Sequence, residues 1–397
     1  MDELAYAMIT PYSLLKSRTG GIIGRLLLAD LELVGARMYA PGDEFVDRYC
    51  KTLDDPEIDP NIREGLINYV SEYFRATNRL GIPNRCPVLL FRGQNALEEL
   101  RKVVGSISRN PSGDTVRGTY GDFIGYATGE LKYFEPAVLI ATSDEMRLRQ
   151  LQLFAEYADR DGGILEHVIP YPKDVKPEVT LVLIKPDSFV RRSTRAGNII
   201  DLFSRGGLYI IAMEVIHMSI AQAEEFYGPL RDIFVDKLRP GVAARLKKTL
   251  AETFPFPVSD STVDSMAALL ADPNAEHEFN RIIEYMTGIK REKVTSPAEK
   301  RKPGCQKCLA LVYQGPDAVA KIRSLLGSTN PREAAPGTVR SVYGEDLMRN
   351  GAHASDSAES AMRELRILGL TRDAHASNFK STILSYLQSR GVRVPEP

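Results

Sequence analysis

ITPYSLLKSRTGGIIGRLLLADLELVGARMY, Ile9–Tyr39, and IKPDSFVRRSTRAGNIIDLFSRGGLYIIAMEVI, Ile184–Ile216, are two versions of one pattern. Each reads as a strand end, a proline turn, an amphipathic helix, a glycine-containing break and a second strand. Thr10 falls opposite Lys185, 175 residues away. Further on, CPVLLFRGQNALEELRKVVGS from Cys86 matches CLALVYQGPDAVAKIRSLLGS from Cys308, an offset of 222 that puts Arg101 opposite Arg323. GDTVRGTYG and PGTVRSVYG set Arg117 against Arg340. YFEPAVLIATSDEMRLRQLQLF and LMRNGAHASDSAESAMRELRIL, anchored on their helix ends, set Leu139 against His353. Four matches in one order indicate a duplicated unit. The jump in offset places about 47 extra residues between Met218 and Cys308.

The chain has 397 residues, which favours two domains. HVIPYPKDVKPEV, His167–Val179, carries three prolines and little periodicity and reads as the linker. We therefore expect a first domain over 1–170 and a second over 177–397, with a helical insertion at about 231–306. Alternating strands and helices with two crossovers per half predict an α+β sandwich: two ferredoxin-like βαββαβ domains in tandem.

A formal net charge of −1 offers no global attraction to nucleic acid or anionic membrane, so sequence-specific nucleic-acid binding is not expected. The apolar runs are far too short to span a membrane, and the N-terminus lacks a secretory pattern, so the chain reads as cytoplasmic. Four cysteines form no disulfide framework. The one C-x-x-C, Cys305 and Cys308, lacks two further zinc ligands nearby, and no metal-ligand set is read.

The second half holds polar residues that the first mostly lacks: Lys185, Arg323, Thr329, Arg340, Asn350, His353, Ser355 and Glu364. His353 sits in RNGAHASDSAES between a glycine and an expected helix start. Asp356 and Glu359 have capping-box spacing, which would begin the helix there. A histidine just before a helix N-terminus lies where backbone N–H groups favour a phosphate. Taken singly, each residue has an ordinary alternative: a surface histidine, ion-paired arginines, a turn threonine or asparagine, a capping serine.

TLVLIKPDSFV, AEEFYGPL, IRSLLGSTNPREAAPGTVR and RNGAHASDSAESAMREL together resemble the nucleoside diphosphate kinase family. The N-x-x-H-x-S-D-S run, with Glu364 nine residues after Ser355, is the most specific element. The resemblance covers most of Val179–Leu370 apart from the insertion. It implies that His353 takes the γ-phosphate of a nucleoside triphosphate and passes it to a nucleoside diphosphate. It further implies that Lys185, Tyr227, Arg323, Thr329 and Arg340 hold phosphates, that Asn350 contacts the sugar, and that Mg²⁺ bridges the phosphates. Glu364 would orient the imidazole and Ser355 would assist. An aromatic clamps the base in the family; Phe279 is one candidate, with Phe234, Phe254 and Phe256 as others. The competing expectation is a non-catalytic nucleotide-binding or scaffold protein.

The first half departs from the motif. Thr10, Tyr12, Ile107, Pro136 and Leu139 stand where Lys185, Asp187, Thr329, Asn350 and His353 stand in the second. Arg101 and Arg117 survive, either as a residual anion site or as ion-pair partners. A pseudo-domain docked on the second half is expected, giving an internal pseudo-dimer, with homo-oligomers open.

Overall fold

Period-two burial governs the first strand. Ala5, Ala7 and Ile9 enter one apolar cluster while Leu4, Tyr6 and Met8 enter another, so the sheet is covered on both faces. The structure, a computed structural model, describes residues 2–56, 58–107, 113–125, 131–371 and 378–392. Its strands are β1 (Asp2–Ile9), β2 (Glu32–Tyr39), β3 (Cys86–Gln94), β4 (Asp122–Gly125), β5 (Leu131–Glu135), β6 (Val138–Leu139), β7 (Glu178–Ile184), β8 (Tyr209–Ile216), β9 (Cys308–Gly315) and β10 (Ala352–Ala354).

Two four-stranded sheets result, ordered β2-β3-β1-β6 and β10-β7-β9-β8, with β4 and β5 as a separate two-stranded sheet. Read from opposite ends, the two four-stranded orders are the same. They are the order of a ferredoxin-like α+β fold, as the alternation of elements predicts. Register matches too. Met8 faces Leu139 and Val88 in the first half, as Leu183 faces His353 and Ala310 in the second. Backbone punctuation repeats as well: Asn95 and Asp317 both adopt left-handed φ (51° and 53°) before their helices.

By its contacts the chain forms two compact units, Met1–Ile216 with Leu309–Pro397, and His217–Cys308. The proline-containing stretch His167–Val179, expected as the linker, lies within the first of these units. Both sheets lie in the first unit and share a single apolar cluster, in which Ile22, Ile23 and Leu26 join Ile199, Ile200 and Phe203.

The helices Thr19–Leu26 and Arg195–Ser204 cross at glycine. A Cβ built on Gly197 would stand 2.2 Å from Gly20 O and 2.4 Å from Gly24 N. Only bare backbone allows that approach. Asp201 adds a polar tie, since its Oδ1 accepts from Gly21 N at 3.1 Å.

The C-terminal helix Asn378–Ser389 belongs to the core of the first half, where Phe379, Ile383, Tyr386 and Leu387 are buried with Tyr39 and Phe154. No periodicity argument foretold this partner. Its N-terminus meets Glu214 of β8, which accepts from Phe379 N at 3.3 Å and lies 3.6 Å from Arg37 of β2. Burial pushes the Glu214 carboxyl up to about 7, against the opposing pull of Arg37.

The second unit is a helical pair. Ile220–Thr253 starts from a Ser219 capping box and runs 34 residues; Asp260–Thr287 starts from Ser259 and runs 28. Val263, Ala267, Ala271, Ala275, Phe279 and Ile283 are buried at every fourth position, a narrow stripe suited to one partner helix. The expected insertion at 231–306 thus lies inside this unit, but the first long helix begins 11 residues earlier. Among the described residues no helix is long and apolar enough to cross a membrane.

Two outcomes follow from the contacts. Gly197→Val forces backbone apart and lowers unfolding free energy by about 1–3 kcal/mol in urea titration, whereas Gly228→Ala, with nothing within 4 Å of its Cβ, loses no stability. An unchanged midpoint for Gly197→Val contradicts the crossing. Glu214 supplies the second. Its folded pKa of about 7 exceeds the ordinary 4.5, so the native state holds a proton the unfolded chain has released. Stability should fall between about pH 4.5 and pH 7, by on the order of 3 kcal/mol in full. Glu214→Gln should flatten that part of the profile; an unaltered slope refutes the assignment.

Candidate active site

His353 is the middle residue of β10, the edge strand, paired with Leu183 of β7. Alternation sends its neighbours Ala352 and Ala354 to the buried cluster and leaves the imidazole partly open, with a side-chain exposure of 21%. The helix start lies one residue later than the capping-box spacing predicts. Ser357, not Asp356, caps the helix Ala358–Ile367, its hydroxyl accepting from Ser360 N at 3.0 Å. The cap succeeds because Ser357 adopts extended backbone, while the Asp356 carboxylate bonds the Ser360 hydroxyl instead. That bond, opposed by burial, holds Asp356 below the usual carboxylate range, with the charges of Arg323 and His353 adding to the effect.

Glu364 is on that helix, two turns in, and 4% exposed. Its Oε2 lies 3.0 Å from His353 Nε2 and accepts from Ser355 Oγ at 2.6 Å. Arg363 lies 3.6 Å from its other oxygen. A buried carboxylate without donors is costly, so these contacts fix one another. The result is an imidazole with one ring nitrogen on a carboxylate and Nδ1 turned elsewhere.

Lys185 caps the short Pro186–Ser188 turn where β7 ends. Its Nζ donates to Asn350 Oδ1 at 2.7 Å and to Met348 O at 3.0 Å. Asn350, 1% exposed, spends its amide hydrogens on Thr329 O and Leu347 O at 3.1 and 3.0 Å. Arg340, 8% exposed, reaches Gly327 O at 3.1 Å, Thr329 Oγ1 at 3.3 Å and Ala352 O at 3.4 Å. One side chain thus ties the 327–329 loop to β10 beside His353. Arg323 and Thr329 are exposed, Arg323 on the last turn of the helix Ala318–Leu326.

The structure therefore brings Lys185, Thr329, Arg340 and Asn350 into one hydrogen-bonded set, adjoining His353, Ser355 and Glu364 through Ala352. Tyr227 and Phe279 lie in the helical unit. Tyr227 is 5% exposed and packs on Phe226 at 4.9 Å between ring centroids. Phe279 needs correcting as a base clamp: it is 2% exposed, with the guanidinium groups of Arg231 and Arg291 at 5.9 and 5.7 Å from its centroid. A ring enclosed in this way has no face left for a base. Of the other candidates, Phe254 and Phe256 are exposed and 5.5 Å apart.

One site residue escaped the sequence reading. Arg195 NH2 donates to Asp187 Oδ2 and to Tyr343 O, both at 2.6 Å, fastening the Lys185 turn to the end of the helix Val339–Tyr343. A signal was present: the first half loses both partners together, with Tyr12 for Asp187 and Gly20 for Arg195. There Arg18 takes over the carbonyl, donating to Tyr120 O at 2.8 Å.

Two hydrogen-bonded cations, Lys185 and Arg340, close to a carboxylate-held imidazole on an antiparallel α+β fold define a protein suited to a phosphate-bearing ligand. The family model for nucleoside diphosphate kinase matches residues 178–236 and 297–370, leaving out the middle of the helical unit. Nucleoside diphosphate kinases from Chlamydia muridarum and Helicobacter pylori strain P12 are each 30% identical; the matches span 89% and 96% of those proteins, but 47% and 49% of this chain. Among solved structures, the nucleoside diphosphate kinases of Encephalitozoon cuniculi and Pyrobaculum aerophilum are each 25% identical, over 52% and 48% of this chain and 99% and 95% of theirs, with TM-scores of 0.32 and 0.33. The chain belongs to the nucleoside diphosphate kinase family.

The Glu364 contact makes a prediction about the ring itself. With the carboxylate accepting at Nε2, His353 should hold its proton there. Two-dimensional ¹H–¹⁵N NMR of the neutral ring should show one tautomer in the wild type and a mixture in Glu364→Ala. Equal mixtures in both would remove Glu364 as the orienting group.

Proposed function

We propose that the chain transfers the terminal phosphate of a nucleoside triphosphate to a nucleoside diphosphate through a phosphohistidine on His353. The observation that carries this is the Nε2–Glu364 contact of 3.0 Å, which leaves Nδ1 of the partly exposed ring as the nucleophile. The neutral Nδ1 lone pair attacks the γ-phosphorus, and the bond to the bridging oxygen breaks, releasing the diphosphate. Glu364 stabilises the positive charge that builds on the ring, as the carboxylate of a triad does. A second diphosphate then attacks the phosphohistidine along the reverse path.

Lys185, Arg323, Thr329 and Arg340 are proposed to hold the phosphates. Asn350 is proposed to set the position of the Lys185 ammonium as well as to contact the sugar. Such transfer depends mainly on position and charge neutralisation. Mg²⁺ fits this site as an ion brought by the nucleotide: the phosphate-facing groups are cations, and the nearby Asp187 carboxylate is engaged by Arg195. Bound there, it would neutralise phosphate charge.

The first half we read as a degenerate copy, ending near residue 170, that docks on the second as a built-in partner. Support comes from the shared strand order, the matched register and the glycine crossing of the two helices.

Incubation with Mg²⁺ and γ-labelled ATP should give acid-labile label on the protein that GDP discharges as GTP. His353→Ala should abolish labelling. Glu364→Gln should slow it about 100-fold through misplacement of the ring. Nucleotide binding without any labelling would instead make the chain a nucleotide-binding scaffold.

A further inference from the structure

We infer that the first half's counterpart of this site is closed to nucleotides by the chain's own carboxylate, Glu135, so that each chain has a single nucleotide site. The count of one rests on the proposed function of the second half; the closure does not.

Backbone geometry makes the two positions comparable. Thr10 N donates to Ala137 O at 3.1 Å, as Lys185 N donates to Gly351 O at 3.0 Å. Ala137 and Gly351 both have positive φ, 59° and 82°. With the strand registers already matched, the Thr10 side chain starts where the Lys185 side chain starts.

The charge in that slot is reversed. Lys185 presents an ammonium ion there. Thr10 Oγ1 instead donates to Glu135 Oε1 at 3.0 Å, and that oxygen also accepts from Ala137 N at 2.8 Å. The other oxygen accepts from Tyr69 OH at 2.5 Å. Tyr69 comes from the helix Pro60–Tyr73, so the carboxylate is clasped from two sides and is 3% exposed. A phosphate brought beside it would meet like charge at low dielectric, and Thr10 Oγ1, Ala137 N and Tyr69 OH are already engaged by the carboxylate.

The surviving arginines do not restore an anion site. Arg117 donates to Gly105 O at 2.8 Å and Val138 O at 3.1 Å, the same two carbonyl positions that Arg340 uses at Gly327 and Ala352. Both terminal nitrogens are thus spent on backbone carbonyls, while the buried Nε has no partner among the described residues. Arg101 pairs with Glu98 at 3.5 Å on its own helix. What cavity remains, with Ile107, Arg117, Phe123, Phe134, Glu135 and Pro136 in its lining, measures about 20 Å³. That is room for about one water molecule.

The sequence has no tryptophan, so single-tryptophan reporters are available. Phe123→Trp would report on the first-half cleft, and Leu347→Trp, whose carbonyl holds Asn350, on the second. On titration with Mg·ADP we expect a flat signal from Phe123→Trp and a saturable one from Leu347→Trp. A saturable Phe123→Trp response that persists in a Lys185→Ala background overturns the closure. A flat response from both reporters would count against the kinase reading while leaving the closure intact. Equilibrium dialysis of the unsubstituted protein adds a check free of folding defects: at most one ADP per chain is expected, and two would refute the inference.

Discussion

A slip of one residue between β10 and β7 would turn His353 to the opposite face of the sheet. The whole candidate site hangs on that short antiparallel pairing. β10 has three residues and is an edge strand, so its register needs outside support. Arg340 provides some, holding Ala352 O from the side. Lys185 N on Gly351 O and Ser355 N on Leu181 O close the ladder at its two ends. The same contacts that align the strand also place the ammonium, guanidinium and imidazole groups near one another, so fold stability and site geometry are one problem here.

The two halves show how the same backbone tolerates opposite chemistry. Carbonyl-to-arginine ties, left-handed helix starts and strand registers are shared, because they serve the chain trace. The side chains proposed to meet a ligand in the second half are replaced in the first by groups that satisfy each other. A cationic slot must keep its charge accessible; a structural slot must hide its polar atoms with every donor and acceptor matched. Glu135, Thr10 and Tyr69 achieve the second condition.

The helical unit solves a different problem. Its second helix buries a stripe dominated by alanine, which lets two long helices approach closely but contributes little apolar area per residue. Charged contacts supplement the seam, as between Arg231 and Glu276 at 2.7 Å and between Arg291 and both Glu224 and Glu276 at 2.5 Å. Phe279, the one large ring of that stripe, is consumed by this packing.

Much was legible in the residue order alone. Strands, helices and the ferredoxin-like α+β pattern follow from apolar periodicity and proline and glycine punctuation, which are local properties. The candidate nucleophile and its cations were legible because a rare residue type fell inside a dense motif. Position 356 misled because capping depends on which residue adopts extended backbone, and two candidates stood side by side. Tertiary structure alone decided the rest. It sent the C-terminal helix to the first half's core, joined both halves into one compact unit through bare glycine backbone, and enclosed Phe279. It also paired Arg195 with Asp187 and Glu135 with Tyr69. Each of these is a contact between distant segments, set by packing and charge satisfaction in three dimensions, and no local pattern encodes which distant partner will arrive.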